Sequence, residues 1–321
     1  MEQGKYLLVG AGAISEQLYL KYFNVNGIHN VLVNDVNAER LEQLRTKYPS
    51  FSYSDQSPES ILQSQAITAG LICLPNHLHA PFIQLFQDHK IPCLVEKPVV
   101  NHSASYESIQ FSNKEMVFVA QLRRFFSSSI FFQQFIESNH LGKLEKIEIS
   151  DGGVFSWKLQ SNYLLNKDLC GGGVLMDSGV HWIDLLYFLL GDISLIAYKD
   201  NNSGGLESEC WLKFGFANGE GSMRLSRIRS VKRFFRMHFE SGMLDFNLDE
   251  PEMIRIRVSK SQLEFRHQVD DQIHVAFSRQ IGAFFDAIKG KTDSMFFSFL
   301  PKAAEAMRPV QFIQNCYESI A

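Results

Sequence analysis

Few features of the sequence would place the protein on a nucleic acid or in a membrane. Its 31 Lys and Arg residues are outnumbered by 35 Asp and Glu residues, which gives a net charge of −4 and leaves no basic surplus to attract a polyanion. The longest uninterrupted apolar run, Leu185 to Leu190, is far shorter than the roughly 20 residues of a membrane helix. The N-terminus lacks a secretory signal pattern. We therefore expect a cytoplasmic protein whose partners include neither a nucleic acid nor a membrane.

Cysteine is also scarce and poorly spaced for cross-links or metal binding. The five cysteines are Cys73, Cys93, Cys170, Cys210 and Cys316. Their number is odd and no two of them form a C-x-x-C pair, which argues against a disulfide framework or a zinc site. We expect reduced thiols and no bound metal.

The remaining composition is that of a globular chain. With 321 residues and roughly 150 residues per domain, two domains are expected. The content of 45% hydrophobic and 21% charged residues argues against disorder.

The first part of the chain alternates short apolar runs with helical patterns. The apolar runs are Tyr6–Val9, Val31–Val33, Gly70–Leu74, Cys93–Val95 and Met116–Ala120. Helical patterns lie between them over residues 14–23, 37–48 and 79–89. Buried strands that alternate with helices predict an α/β domain with a doubly wound parallel sheet of the Rossmann type, over residues 1–121.

The second part of the chain, residues 122–321, shows strand after strand. The predicted strands are 144–149, 207–216, 221–228, 234–239, 253–258 and 262–268. Asn218-Gly219 is a strong hairpin signal, so we expect an α+β domain with a large, mostly antiparallel open sheet that forms a meander. The last helix is expected to begin at Pro301 and to break or bend at Pro309.

A glycine turn follows the first predicted strand, in the sequence Gly10-Ala11-Gly12-Ala13-Ile14-Ser15. Gly10 permits the turn, and Gly12 lets a pyrophosphate approach the backbone. Ala13 and Ile14 begin a helix whose free N–H groups favour phosphate. Ser15 replaces the third glycine of the usual fingerprint. The pattern predicts a dinucleotide site, although a glycine turn in another kind of α/β protein would look similar.

Asp35 ends the second predicted strand, 23 residues after Gly12. A carboxylate at this position accepts hydrogen bonds from the adenosine ribose. It would repel a 2′-phosphate, so the sequence favours NAD over NADP. Arg40, one turn into the next helix, leaves NADP open.

Glu96-Lys97-Pro98 follows the fifth predicted strand. Ligands bind at this edge of a doubly wound sheet, so Lys97 could face a nicotinamide. The alternative is an ordinary surface ion pair between Glu96 and Lys97, which would contribute little energy.

The most informative stretch of the second half runs from Cys170-Gly171-Gly172-Gly173 to Asp184. On a helix, Asp177, His181 and Asp184 fall on one face. Histidine suits general acid–base catalysis near neutral pH, and the glycines would let the backbone approach a flat ring or a sugar. A hydrogen-bonded helix histidine, a solvated acid or a metal-ligand pair are the alternatives.

Together these motifs resemble the glucose–fructose oxidoreductase, inositol dehydrogenase and rhizopine catabolism (Gfo/Idh/MocA) family. The resemblance includes Pro75-Asn76-His77-Leu78-His79 after the fourth strand. It implies a cis Lys97–Pro98 peptide, a lysine that touches substrate and nicotinamide, and catalysis by Lys97, Asp177 and His181 without a metal. It also implies that Leu74, Asn76, His79 and Glu96 lie beside the coenzyme.

Substrate contacts are predicted at Arg124, Trp157 and Tyr163, with Lys158 nearby. Arg124 and its neighbour Arg123 could meet an anionic substrate or simply form a charged hinge. The aromatic residues could stack on a sugar or belong to the core.

The function expected from residues and resemblance is NAD-dependent hydride transfer at a hydroxyl or keto carbon of a sugar, an inositol or a nucleotide-linked sugar. His181 would be the acid–base group, Lys97 would stabilise the alkoxide and Asp177 would orient the substrate. Alternatives are an NAD-dependent glycoside-cleaving enzyme, a non-catalytic dinucleotide-binding regulator and a tetrapyrrole reductase.

Self-association is expected from the second sheet. Alternating apolar residues predict an apolar outer face, formed by Met223, Leu225, Ile228, Phe235, Met237 and Phe239. In the family that this chain resembles, such a face commonly pairs with a second subunit, which implies a homodimer or a homotetramer.

Overall fold

The computed structural model describes residues 4–154, 162–203, 205–259, 261 and 263–320. The chain forms two compact units. The first contains Met1–Gln121 and Phe277–Met307, and the second contains Leu122–Ala276 and Arg308–Ala321.

The first unit contains a six-stranded parallel sheet with the strand order β3-β2-β1-β4-β5-β6. Its strands are β1 (Tyr6–Val9), β2 (Val31–Asn34), β3 (Ser52–Ser54), β4 (Ala69–Ile72), β5 (Cys93–Glu96) and β6 (Val117–Ala120). The predicted Rossmann-type sheet is confirmed. Only β3 was not predicted, because its three residues Ser-Tyr-Ser are polar and carry no apolar run.

Helices connect these strands. They are α1 (Ser15–Leu20 and Lys21–Val25), α2 (Ala38–Lys47), α3 (Pro58–Ser64), α4 (His79–Asp88) and α5 (Ser103–Glu107). The Asn37 side chain accepts a hydrogen bond from the Arg40 N–H at 3.0 Å, which caps α2 as its sequence predicts. The short helices α3 and α5 were not predicted.

The segment Phe277–Met307 packs with the first unit, although the sequence assigned residues 122–321 to the second domain. It includes most of helix α9 (Ile273–Ile288). Phe285 stacks on Tyr6 with ring centroids 5.0 Å apart, and Phe277 meets the edge of Tyr19 at 4.9 Å. The aromatic face of the helix is therefore buried against the strand and helix that open the chain, and this drives the segment into the first unit.

The second unit contains an eight-stranded sheet with the order β14-β13-β12-β11-β7-β10-β9-β8. Its strands are β7 (Leu144–Gly152), β8 (Ile193–Asp200), β9 (Glu209–Phe216), β10 (Gly219–Ser226), β11 (Phe234–Phe239), β12 (Gly242–Asn247), β13 (Met253–Val258) and β14 (Leu263–Gln268). The predicted, mostly antiparallel sheet is confirmed. The prediction that the sheet forms a meander is wrong, because β7 lies between β11 and β10 and pairs with β10 in parallel.

The helices described in the second unit are α6 (Ser127–Ser138), α7 (Lys167–Cys170) and α8 (Leu175–Gly179 and Val180–Leu190), together with the end of α10 (Ala303–Glu318). Helix α10 continues through Pro309, so the predicted break does not occur, and a bend there stays a prediction. The stretch Lys167–Leu190 is long and apolar enough to cross a membrane, but 61% of its apolar 18-residue window is buried in the protein. Such burial equally fits a core helix, and Trp182 of α8 stacks on Phe235 of the sheet.

Five of the six residues predicted to form an apolar outer face lie inside the second unit instead, and only Ile228 of this set is exposed. Met223, Leu225, Phe235 and Met237 are at most 1% exposed. Phe235 stacks on Phe132 of α6 at 4.8 Å. Helices α6 and α8 therefore cover the face that the sequence left open.

The alternate residues of these strands carry charge. His238 lies 2.7 Å from Glu148, Arg236 pairs with Asp245 at 2.7 Å, and Lys213 pairs with Glu220. The alternation of apolar and polar residues predicts the two faces of each strand, but it does not predict which face the helices cover. Self-association stays a prediction without this apolar face as support.

The two faces of β11 predict different costs of truncation. Met237→Ala removes a fully buried side chain and should destabilise the protein by about 2–5 kcal/mol. His238→Ala, one residue further along, removes a half-exposed ionic contact and should cost less than about 1 kcal/mol. Urea unfolding followed by circular dichroism measures both. Equal losses would contradict the assignment of the two faces.

Candidate functional site

The glycine turn after β1 combines a tight strand exit with open backbone. Gly10 has φ +96°, and a Cβ there would lie 2.3 Å from the Cys73 carbonyl oxygen, so only glycine fits. A Cβ at Gly12 would meet nothing within 4 Å. The Ser15 hydroxyl donates to the Gly10 carbonyl at 2.5 Å and holds the turn against α1. The space at Gly12, next to the helix start, fits a phosphate group.

Asp35 lies directly after β2, and its carboxylate reaches this turn. Oδ2 accepts a hydrogen bond from the Ala11 N–H at 2.7 Å, and Oδ1 accepts one from the Asn37 N–H at 2.9 Å. Each carboxylate oxygen can accept a further bond. The backbone thus fixes an acceptor beside the glycine turn, where a ribose hydroxyl would be bound.

His79 connects the turns that follow β4 and β5. Its Nε2 lies 2.8 Å from the Leu74 carbonyl oxygen, and its Nδ1 lies 2.8 Å from that of Pro98. The ring is fully buried. Both ring nitrogens lie against backbone carbonyls, so the imidazole helps to position these turns. Its predicted place beside the coenzyme stays a prediction. Asn76, also buried, begins the turn Asn76–Leu78, which lies between Leu74 and His79.

Burial shapes the titration of this histidine. Removal from water lowers the pKa of His79, while the carbonyl oxygens of Leu74 and Pro98 oppose that shift. Neutral imidazole has one N–H group and donates to one of the two carbonyls.

Glu96 and Lys97 end β5 at the same edge of the sheet. The Tyr19 hydroxyl of α1 donates to Glu96 Oε1 at 2.8 Å, and burial raises the pKa of this carboxyl group. Lys97 follows, half-buried, and the Lys97–Pro98 peptide is cis as the resemblance implies. The parallel sheet therefore brings the glycine turn, Asp35 and Lys97 to one edge, each at the carboxyl end of its strand.

In the second unit, Asp177 and His181 lie one turn apart in α8 and both are half-buried. Arg227, directly after β10, places a guanidinium nitrogen 3.5 Å from Asp177 Oδ2. Arg227 was not predicted from the sequence, because pairing across 50 residues leaves no local pattern. Its only signal is a cation at the end of a predicted strand.

Trp182, next to His181, holds α8 in place. Its indole N–H donates to Asp151 of β7 at 3.0 Å, and the Arg123 guanidinium lies 3.6 Å from the ring centre. Arg233 also donates to Asp151, at 2.8 Å. These contacts fix the rotation of the helix that carries His181.

The glycines before α8 serve packing, not the approach of a ring or sugar that the sequence analysis expected. A Cβ at Gly173 would lie 1.9 Å from the Glu207 carbonyl oxygen, and one at Gly172 would lie 2.2 Å from the Tyr317 hydroxyl. The buried Glu207 carboxyl accepts hydrogen bonds from the N–H groups of Gly173 and Leu175. It caps the helix, and burial raises its pKa.

Arg124 was predicted to contact substrate and Asp184 to share a helix face with Asp177 and His181, and the structure buries both. Arg124 is 1% exposed and Asp184 is fully buried. Two parallel hydrogen bonds of 2.7 Å join the guanidinium to the carboxylate. This bidentate pair is internal to the second unit, so the structure gives the predicted substrate contact of Arg124 no support.

Of the other predicted substrate residues, Tyr163 is half-buried in the turn Asn162–Leu165. Trp157 and Lys158 lie outside the described residues. Within the ranges that the structure describes, no three His, Cys, Asp or Glu side chains form a metal-binding group. All five cysteines are buried, and none of them forms a disulfide.

Two family models match the sequence. The one described as "Oxidoreductase family, NAD-binding Rossmann fold" matches residues 4–119. The one described as "GFO/IDH/MocA C-terminal domain" matches residues 131–284. Together they cover most of the chain.

Two curated relatives are dehydrogenases. D-glucoside 3-dehydrogenase of Escherichia coli (strain K12) is 24% identical over 191 residues, which are 57% of this chain and 53% of that protein. This chain therefore matches about half the length of that relative. Levoglucosan dehydrogenase of Pseudarthrobacter phenanthrenivorans is 22% identical over 277 residues, which are 73% and 69% of the two proteins.

Solved structures share the whole fold. Levoglucosan dehydrogenase in complex with NADH and levoglucosan has a TM-score of 0.81 at 18% identity, with 99% of this chain and 97% of that chain covered. An oxidoreductase from Thermotoga maritima has a TM-score of 0.82 at 19% identity, with the same coverage. At these identities the likeness establishes the fold.

The buried pair in the second unit predicts a stability effect. Arg124→Met leaves the Asp184 carboxylate buried without its guanidinium and should cost about 3–5 kcal/mol. Arg124→Met combined with Asp184→Leu removes both charges and should recover most of that loss. Thermal unfolding of both variants measures this. A single variant as stable as the native protein would contradict a structural role.

The buried imidazole predicts a pH effect. Because the pKa of His79 is lowered on folding, the unfolded chain takes up its proton first. The stability from neutral His79 is full above pH ~6.5 and is lost as pH falls toward the folded pKa. His79→Gln does not titrate, so the Tm advantage of the native protein over this variant should shrink below pH ~6.5. An advantage that stays constant or grows would contradict this account.

Proposed function

This chain belongs to the Gfo/Idh/MocA family of NAD-binding oxidoreductases, and we propose that it is a dehydrogenase acting on a hydroxyl-bearing carbon of a carbohydrate. The observation that carries the proposal is the set of groups at one edge of the parallel sheet, where the open backbone at Gly12, the Asp35 carboxylate and Lys97 occur together. The carbohydrate follows from the relatives, whose names specify a D-glucoside and levoglucosan.

The first unit would hold NAD through its own backbone and a few side chains. The N–H groups of Gly12, Ala13 and Ile14 would bind the pyrophosphate, and Asp35 would accept a hydrogen bond from the adenosine ribose. The loop with Leu74 and Asn76, together with Glu96, would line the nicotinamide end. When bound, NAD accepts a hydride from the substrate carbon, or NADH donates one to it.

His181 is the proposed acid–base group. In the oxidation direction its imidazole removes the hydroxyl proton, and in the reduction direction it returns a proton to the oxygen. Asp177 would hold an adjacent substrate hydroxyl or the imidazole, with the Arg227 guanidinium fixing its carboxylate. Lys97 would stabilise the negative charge that develops on the substrate oxygen.

The proposal also includes a cytoplasmic location and self-association. Free, buried cysteines agree with a reducing compartment. A homodimer or homotetramer is proposed from the family resemblance alone. Light scattering of the purified protein at micromolar concentration tests it, and a monomer would contradict it.

A sugar panel tests the activity directly. The purified protein is mixed with NAD and, in turn, with methyl glucosides, levoglucosan, L-sorbose, inositols and nucleotide-linked sugars, and the absorbance of reduced nicotinamide is followed. We expect NADH to form with at least one carbohydrate. Sugar cleavage without net NADH would favour the glycoside-cleaving alternative, and NAD binding without turnover of any sugar would favour a regulatory protein.

Replacement of the acid–base group should slow catalysis. His181→Ala should lower kcat about 10²–10⁴-fold, with NADH affinity unchanged by fluorescence titration, because the residue acts on the substrate proton. His238→Ala is the matched control. This histidine pairs with Glu148 on the face of β11 that helices α6 and α8 do not cover, so the kcat of this variant should not change. An unaltered kcat in His181→Ala would remove this residue from the mechanism.

Lys97→Met tests whether the lysine serves the same reaction. If Lys97 and His181 act on one substrate oxygen, the double variant should lose much less activity than the product of the single losses. Fully multiplicative losses would show that the two groups act independently.

A further inference from the structure

Arg40 of α2 is bound on two sides in the first unit. Its Nε donates to the Ala11 carbonyl oxygen at 2.9 Å, and its Nη2 forms an ion pair with Glu16 of α1. The other oxygen of Glu16 binds the Lys47 ammonium at 2.6 Å. Hydrogen bonds from Lys47 and Arg40 lower the pKa of Glu16, so this carboxylate is ionised at neutral pH. One acid therefore holds two cations.

The position of Arg40 matters because Ala11 also binds Asp35. The Ala11 N–H donates to the Asp35 carboxylate, while the Ala11 carbonyl accepts from the Arg40 guanidinium. The acceptor proposed for the adenosine ribose and the guanidinium thus contact the same residue of the glycine turn. In Rossmann domains an arginine near that acceptor accommodates the 2′-phosphate of NADP.

The charges of the four side chains in this cluster add to zero. Asp35 and Glu16 supply two negative charges, and Arg40 and Lys47 supply two positive charges. A 2′-phosphate would add close to two more negative charges, with no uncompensated cation to bind them. Arginine is well suited to bidentate phosphate binding, but here the guanidinium already binds a carboxylate and a carbonyl.

We propose that Glu16 is a determinant of coenzyme choice, because it holds Arg40 and Lys47 away from a 2′-phosphate. Asp35 repels the phosphate, and Glu16 occupies the cations that would otherwise attract it. This inference rests on the proposed dinucleotide site of the first unit and is independent of the sugar chemistry. It predicts that loss of the Glu16 charge frees a phosphate-binding guanidinium while Asp35 remains.

Binding of NADH and NADPH to the purified protein tests this without catalysis. Isothermal titration gives both Kd values for the native protein, Glu16→Gln and Glu16→Ser. Each variant should bind NADPH about tenfold more tightly relative to NADH than the native protein does. The gain should shrink as salt rises, because it comes from partly exposed charges.

Two controls separate this effect from a change in overall charge. Glu42→Gln removes one negative charge from α2, the helix that carries Arg40. Glu42 pairs with Arg45, so this variant should leave the ratio of NADPH affinity to NADH affinity unchanged. Glu16→Gln combined with Arg40→Met should lose most of the gain in NADPH affinity, because Arg40 is the freed cation that contacts the glycine turn and only the share of Lys47 remains.

The outcomes distinguish the two proposals. If Glu16→Gln and Glu16→Ser change the ratio no more than Glu42→Gln does, the role of Glu16 is wrong and the dinucleotide site stands. If the gain survives Arg40→Met, the proposed route through Arg40 is wrong. If the native protein binds neither coenzyme, the dinucleotide site fails and this inference fails with it. A protein without activity on any sugar would contradict the proposed catalysis but not this inference, because the titrations measure coenzyme binding and not turnover.

Discussion

Hydrogen bonds between successive turns at the carboxyl edge of the parallel sheet fix the candidate coenzyme site. The Asp35 carboxylate binds the N–H of Ala11 in the glycine turn. The buried His79 has its ring nitrogens 2.8 Å from the carbonyl oxygens of Leu74 and Pro98 and donates to one of them. The Asp35–Ala11 bond and the His79–Pro98 contact join residues that follow different strands. Because Ala11 and His79 are buried, the Asp35 carboxylate and the turn that carries Lys97 have defined positions before any ligand binds. Such preorganisation reduces the conformational entropy that is lost when a ligand binds.

In the second unit, ion pairs divide the charged residues around α8 into two groups. Asp184 is removed from solvent by its bidentate contact with Arg124, and this pair serves stability. Asp177 remains half-buried beside Arg227, one turn before His181. The same helix therefore carries one carboxylate committed to the interior and another that keeps access to solvent. This contrast, more than the number of acidic residues, singles out Asp177 and His181 as the candidates for chemistry.

Local patterns predicted the elements whose signal is local. The Rossmann-type sheet, the cap at Asn37 and the glycine turn were all predicted, because strand burial, capping and turn geometry depend on neighbouring residues. The insertion of β7 between β10 and β11, the burial of Arg124 and the contact between Arg227 and Asp177 were not predicted. Each depends on residues far apart in sequence, which a single sequence does not pair. The glycines before α8 were misread for the same reason, since Glu207 and Tyr317 explain them.

Transfer of deuterium tests the central claim most directly. The protein is incubated with NAD and a carbohydrate from the panel whose ring carbons carry deuterium in place of hydrogen, and the reduced coenzyme is examined by proton NMR. The account predicts deuterium at the reacting carbon of the nicotinamide ring and a slower rate than with the undeuterated sugar. A consumed sugar with no deuterium in the coenzyme would contradict hydride transfer to NAD.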